Sequence, residues 1–286
     1  MEVCKNSRWF ERVILFLGCA TVLILSTSAS SQSPADQAWT ILQAGADNGS
    51  TDQRVATMRV LQLIPRDAKA LGVAEKGLQD KEAEVRGAAA LSLGAMASKS
   101  AIPALLAAAK TDKEGAVVLA AARALIQLGD ERGYSVYYAV LTGQRKTGDS
   151  LVGGEEKQLN DLLRNPKEME EMAFQQGMGF VPFGGIGLQA FNVIHSSEEK
   201  APILKATSIK ILAKDPDPRT EKALVAATAD KHWLVRASAF DALARRGDPA
   251  VLPDLTAGFK DDKDEVKLTA AAAVVYLSSL TKPVTE

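Results

Sequence analysis

The chain has 286 residues, a formal net charge of −1 and only 5% aromatic residues, while alanine is abundant. That charge speaks against a nucleic-acid binder, whose affinity rests on Lys and Arg neutralising phosphates. Many small side chains suit closely packed helices better than a β-sandwich, and the length allows one or two globular domains or one extended array.

The first stretch reads as a targeting segment. Lys5, Arg8 and Arg12 precede the apolar run Val13 to Leu25, and small residues follow. This is the order of a secretory signal, with Thr27-Ser28-Ala29 as the expected cleavage site. A retained anchor and lipid attachment at Cys19 are the alternatives; the run is short for a spanning helix of about 20 residues. Residues 1–29 are assigned as a signal peptide, and the protein is expected to be exported, periplasmic or extracellular. Both cysteines, Cys4 and Cys19, lie in this segment. The mature chain is therefore expected to hold no disulfide, no thiolate nucleophile and no Cys-ligated metal.

Pro34 to Ala46 predicts a helix, with Ser33 as its cap and Trp39, Ile41 and Leu42 as apolar anchors. Asn48-Gly49 ends it. It reads as the second half of a repeat whose first half is missing.

Asp80 to Asp112 is the clearest copy of that repeat. Val85, Ala89 and Leu93 lie four residues apart, on one helical face. Asp80 is expected to cap this helix, Ser100 to cap a second one, and Pro103 to sit in the second helix's first turn. Ile102, Leu105, Leu106 and Ala109 give the second apolar stripe. Two apolar faces on one helix pair need neighbouring pairs to bury them.

The copies can be phased on the first helix. Val85/Ala89/Leu93 matches Val117/Ala121/Leu125 and, more weakly, Gln53/Thr57/Leu61; later copies are Leu204/Ser208/Leu212, Val235/Ala239/Leu243 and Val266/Ala270/Val274. The next position is basic in Arg54, Arg86, Lys205, Arg236 and Lys267, with Val118 the exception. These cations are expected to pair with the repeat-start acids Asp80, Asp112, Asp230 and Asp262, tying each repeat to its neighbour. The second helices carry Leu105/Leu106, Tyr137/Tyr138, Leu224/Val225 and Leu255.

The phrase D-x-x-x-x-V-R-x-x-A-x-x-x-L-G followed by A-I-P-x-L resembles the short HEAT-like repeats of the phycobilisome-lyase type, over roughly residues 51–142 and 200–280. The resemblance implies an all-α fold, an α-solenoid of the HEAT-like, armadillo-type superhelix, with second helices lining a protein-binding surface. It does not imply an enzyme, because such repeats serve lyases, hydroxylases and scaffolds alike.

Between the two repeat blocks the register breaks. Gly143 to Gly154 is polar and glycine-rich, Glu155 to Arg164 and the stretch from Pro166 predict helices, and Met172 to Ser197 holds no Asp, Glu, Lys or Arg. That uncharged run contains Phe180, Phe183 and Phe191. Burying each Phe is worth about 1.5–3 kcal/mol, so they are expected to pack somewhere. One reading has the insert fold back and fill a gap between the two halves of the solenoid. Others give it a partner-docking surface or a membrane contact.

No catalytic constellation emerges. Gly179 to Gly184 has phosphate-loop spacing but lacks the following Lys and Ser/Thr. His195 and His232 are the only histidines, and neither is followed by Glu as a metal hydroxylase of this fold would need. His232 is expected to cap or pack at a repeat start. Trp233 and Phe240 are expected in the core. Tyr137 and Tyr138, adjacent on one helix, cannot share one face, because neighbours diverge by about 100°. At least one of them is expected on a surface.

The expected organisation is thus a signal peptide (1–29), N-terminal repeats with a helical cap (30–142), an insert (143–198) and C-terminal repeats (199–286). The leading functional reading is a non-catalytic protein-interaction scaffold without cofactor, with Tyr137, Tyr138, Phe180, Phe183 and Phe191 as partner-binding candidates. A lyase-like enzyme or accessory with a pocket under the insert is the alternative, and membrane-surface association through Phe180 and Phe183 a third. Asp264 to Leu280, a first helix without a second, needs cover from the insert, from the first repeats or from another chain, and a homotypic or partner contact is expected.

Overall fold

A computed structural model describes residues 32–141 and 197–281. The segment read above as a signal and residues 143–196 of the insert, with Phe180, Phe183, Phe191 and His195, lie outside the described residues. Within them every regular element is a helix. The first block comprises α1 (Pro34–Asn48), α2 (Thr51–Val60, continued by a 3-10 turn at Leu61–Leu63), α3 (Ala68–Gly77), α4 (Ala83–Ala95), α5 (Ile102–Thr111), α6 (Gly115–Gln127) and α7 (Arg132–Leu141). The second comprises α8 (Ser197–Leu212), α9 (Pro218–Ala227), α10 (Trp233–Arg246), α11 (Leu252–Leu255, followed by a 3-10 turn at Thr256–Lys260) and α12 (Asp264–Leu280).

The even-numbered helices are the first helices of the repeats. They stack side by side in the order α8, α10, α12, α2, α4, α6. In a second layer α9 packs on α10, the Thr256–Lys260 turn on α12, α1 on α2, α3 on α4, and both α5 and α7 on α6. The order in space is therefore a permutation of the order in sequence: the C-terminal block stands before the N-terminal block. The ends of the described fold meet in the middle of the stack, with α7 at one outer end and α8 at the other.

This arrangement corrects the expectation for Asp264 to Leu280. α12 does not offer an open face to another copy. It packs against α1 and α2 of its own chain, and Leu268, Val274, Val275 and Leu277 are all buried. α1, a second helix without a first, and α12, a first helix without a second, complete one repeat between them. It follows that no gap between the halves is left for the insert to fill.

The apolar registers behave as the spacing predicts. Val85, Ala89 and Leu93, with their counterparts in α6, α10 and α12, are fully or almost fully buried. Close approach depends on small residues: a Cβ on Gly94 would lie 2.8 Å from Ala124 Cα on the next first helix. Ser33 caps α1, its Oγ accepting from the Asp36 amide at 3.2 Å. Ser50 and Gln53 form a reciprocal capping box on α2.

Two other caps differ from expectation. Asp80 lies two residues before the N-cap of α4, and its Oδ1 accepts from the Glu82 amide at 2.9 Å. Ser100 does not cap α5, because a 3-10 turn at Lys99–Ala101 feeds directly into it. In three of the repeats, twelve residues after the first register position, the chain takes a left-handed turn, at Ala97 (φ 55°), Gly129 (φ 80°) and Gly247 (φ 74°). Glycine suits that geometry and alanine does not.

Candidate interaction surfaces at the ends of the stack

The basic position after each first register residue builds a ladder. Arg86 donates to both carboxylate oxygens of Asp112 (2.7 and 2.9 Å) and to the Asp80 and Lys81 carbonyls. Arg54 does the same to Asp80 (2.8 and 3.1 Å) and to the Gly49 carbonyl. Arg236 grips Asp261 with two bonds of 2.7 Å, and Lys205 reaches Asp230 at 2.6 Å. Each aspartate also accepts from the amide two residues on, at Glu82, Glu114, His232 and Lys263.

That turn explains why Asp261, not the expected Asp262, is the rung. An aspartate must stand two residues before the N-cap, here Lys263, for its Oδ1 to meet that amide. Asp262 is mostly exposed and adds one bond to Arg236 at 2.9 Å. Lys267 also departs from expectation: it bonds Asp264 within its own helix at 3.0 Å. Burial pushes the Asp80 and Asp112 carboxyls up, but the arginine and amide bonds outweigh it and hold both below the usual carboxylate range. Arg54, Arg86, Lys205 and Arg236 each tie a repeat to the next, a structural use of the ladder.

His232 has the expected capping role, its Nδ1 accepting from the Leu234 amide at 3.3 Å, with its ring stacked on Trp233. Phe240 is in the core and Trp233 is half-buried against it. Among the described residues no cluster of His, Cys, Asp or Glu could hold a metal ion. No described helix is long and apolar enough to cross a membrane.

One buried charge was not foreseen. Asp241 on α10 is almost fully buried and accepts from Arg245 Nε at 2.9 and 3.0 Å. Burial pushes its carboxyl up against the opposing charges of Arg245 and Lys210, and burial pushes the Lys210 amine down. Asp241 stands six residues after Val235, the register of Lys210 on α8, so the two face each other across adjacent first helices. With Arg245 and Lys210 it forms an ion cluster between the two helices.

Among the described residues most of the exposed large apolar and aromatic side chains stand at the two outer ends, Leu91 and Leu280 being the others. On α7, Tyr134 and Tyr138 are 60% and 64% exposed, and Tyr137 is 38% exposed with its hydroxyl donating to the Leu119 carbonyl at 3.2 Å. The two adjacent tyrosines diverge as the helical geometry requires, Tyr137 leaning on α6 and Tyr138 pointing outward. Tyr137 stands in the register of Leu105, which is fully buried.

At the other end α8 exposes Leu204 (48%), Ile211 (70%) and Leu212 (37%). These stand in the registers of Val235, Ala242 and Leu243, all buried on the next first helix. The structure thus presents a face of α8 whose counterparts are buried on α4, α6, α10 and α12.

The family model for HEAT repeats matches residues 40–142 and 193–275. No curated protein matches the chain. Human deoxyhypusine hydroxylase in complex with glycerol is similar at 17% identity, over 86% of this chain and 97% of that chain, with a TM-score of 0.31. The complex of CpcE and CpcF of phycocyanin lyase from Nostoc sp. PCC7120 is similar at 17% identity, over 87% and 93%, with a TM-score of 0.33. An engineered protein is similar at 16% identity, over 85% and 96%, with a TM-score of 0.25. The repeat model matches both blocks of helices, and the chain belongs to the HEAT-repeat family.

Proposed function

We propose that the protein is an exported, non-catalytic scaffold that binds a protein partner through the tyrosine face of α7. The observation that carries this reading is the exposure of Tyr134, Tyr137 and Tyr138 together on the outermost helix of one end of the stack. Tyrosine combines a large apolar ring with a polar tip, and such residues dominate the energetics of protein interfaces. The other conspicuous charges and aromatics of the described fold serve its packing. Export rests on the basic, apolar and small-residue order of residues 1–29.

Two measurements test the proposal. Tagged protein recovered from the native envelope is compared with the Tyr134→Ser/Tyr138→Ser variant. A partner retained by the wild type and reduced at least tenfold by the variant supports the α7 face; equal recovery by two equally stable proteins rejects it. N-terminal sequencing of the envelope protein should begin just after Ala29. Recovery from the cytoplasm with Met1 intact overturns export.

A further inference from the structure

The outer face of α8 carries a seam of its own. Ala201, Leu204, Ser208 and Ile211 are all exposed and follow one another at spacings of three, four and three residues, the rhythm by which one helix meets another along its length. Small and large side chains alternate along it. Its one polar side chain is already satisfied, because Ser208 Oγ donates to the Leu204 carbonyl at 2.9 Å. The cation beside it is engaged as well, Lys205 Nζ lying 2.6 Å from Asp230 Oδ2. The face can therefore be covered without leaving a polar group unpaired.

A further repeat, supplied by the α6–α7 end of a second copy stacked head to tail, is not forbidden by bulk. α12 and α2 bury Val275 and Val60 in the registers of Ile126 and Ile211. It is disfavoured by charge. Six residues after the first register position, Lys210 on α8 is drawn to Asp241 on α10. At a head-to-tail joint that place on α6 is held by Arg123, which would meet Lys210 cation to cation. Nor can the ladder cross such a joint, since Val118 stands where its cation would be.

We propose that α8 pairs with α8 of a second copy, antiparallel across a two-fold axis level with Ala206. Turned end for end, Ala201 lies opposite Ile211 of the second copy and Leu204 opposite its Ser208, so that small faces large at all four levels, as interdigitating side chains require. A two-fold contact has to be self-complementary, and this order is: read from either end, it offers small where the other offers large. A parallel pair would set Ile211 on Ile211 and Ala201 on Ala201. On the flank, Leu212 falls beside Lys205 of the second copy, whose apolar stem covers it while the amine stays with Asp230. The contact does not involve α7 and stands independently of the tyrosine face.

Two measurements test it. In a Cys4→Ser/Cys19→Ser background, a Leu204→Cys protein is mixed with a Ser208→Cys protein and oxidised mildly. The mixture should give at least tenfold more disulfide-linked dimer than either protein alone. A parallel pair would link each variant to itself, and a head-to-tail joint would link neither; either result overturns the proposal. Sedimentation equilibrium supplies the second readout, from micromolar to millimolar chain, because so few positions a side make an interface of the small, transient class. Ile211→Lys should raise the dissociation constant of the dimer at least tenfold. Its urea midpoint at micromolar chain should stay that of the wild type, since Ile211 is exposed within one chain. A wild-type chain that is monomeric throughout the range, or a dimer indifferent to Ile211→Lys, overturns the proposal as well.

Discussion

Gln53 Nε2 donates to Asp264 Oδ2 at 2.6 Å, joining two residues 211 positions apart. The bond sits where the end of the chain meets its beginning. Asp264 also accepts from Lys267, while Gln53 Oε1 accepts from the Ser50 amide at 2.8 Å, so one small network links the first turn of α12 to the cap of α2. Beneath it Gly45 lets α1 approach closely: a Cβ there would meet Thr57 Oγ1, and Leu268 Cδ2 at 2.9 Å. Among the described residues no bidentate arginine crosses this seam. It is held by apolar packing and one amide–carboxylate bond, whereas the repeats on either side are clamped by Arg236–Asp261 and Arg54–Asp80.

The seam should behave as core. Leu268→Ala removes a buried side chain and should cost about 3 kcal/mol in urea unfolding. Because α12 covers α1 and α2, hydrogen exchange should accelerate in both of those helices as well as in α12. Acceleration confined to residues after 264 would mean that α12 is a frayed end.

The ladder predicts a different signature. Arg86 makes four hydrogen bonds and is largely shielded from solvent, so Arg86→Ala should cost about 2 kcal/mol, between the values for exposed and fully buried pairs. Asp112 is held below its ordinary value, so its contribution to stability is full above the unfolded pKa, near 4, and is lost as pH falls through the lower folded value. Wild-type stability should therefore fall below pH about 4, and Arg86→Ala should flatten that fall. An equal slope in the two proteins would show that the pair is not formed.

Asp241 has the opposite sign. Its folded carboxyl is raised by burial despite Arg245 and Lys210. Its contribution to stability therefore declines as pH rises from the unfolded value, near 4, through the raised folded value. Asp241→Asn should remove that decline from a plot of unfolding free energy against pH. A plot of unchanged slope above pH 4 would contradict a raised folded value.

Ala97 occupies the left-handed conformation that Gly129 and Gly247 take at the same place in their repeats. Relief of about 1–2 kcal/mol of strain, less about 0.4–1 kcal/mol for the freer unfolded chain, makes Ala97→Gly stabilising. Thermal unfolding should move up by a few degrees; a lower melting temperature would refute the strain.

Much of the repeat was legible because its periodicity has one physical meaning. Val85, Ala89 and Leu93 four apart can only be a buried helical stripe in this context, and Arg86 beside Val85 needs an acid within reach. The stacking order was not legible, since each copy carries the same register and none encodes which copy stands next. One residue and one pair of helices nevertheless mark it. Val118 stands where the other copies hold a cation, and among the described residues α6 is the last first helix of the stack. The orphan helix beginning at Pro34 and the orphan helix beginning at Asp264 are two halves of one unit, although each alone reads only as a cap.

The most direct measurement of the permuted stack is a nuclear Overhauser effect in methyl-labelled protein between the Leu268 δ-methyls and the Hα protons of Gly45. The account predicts a strong cross-peak that persists when the labelled chain is diluted tenfold with unlabelled chain. Absence of that cross-peak, with Leu268 methyls at random-coil shifts, would contradict the joining of α12 to α1 and with it the order of the whole stack.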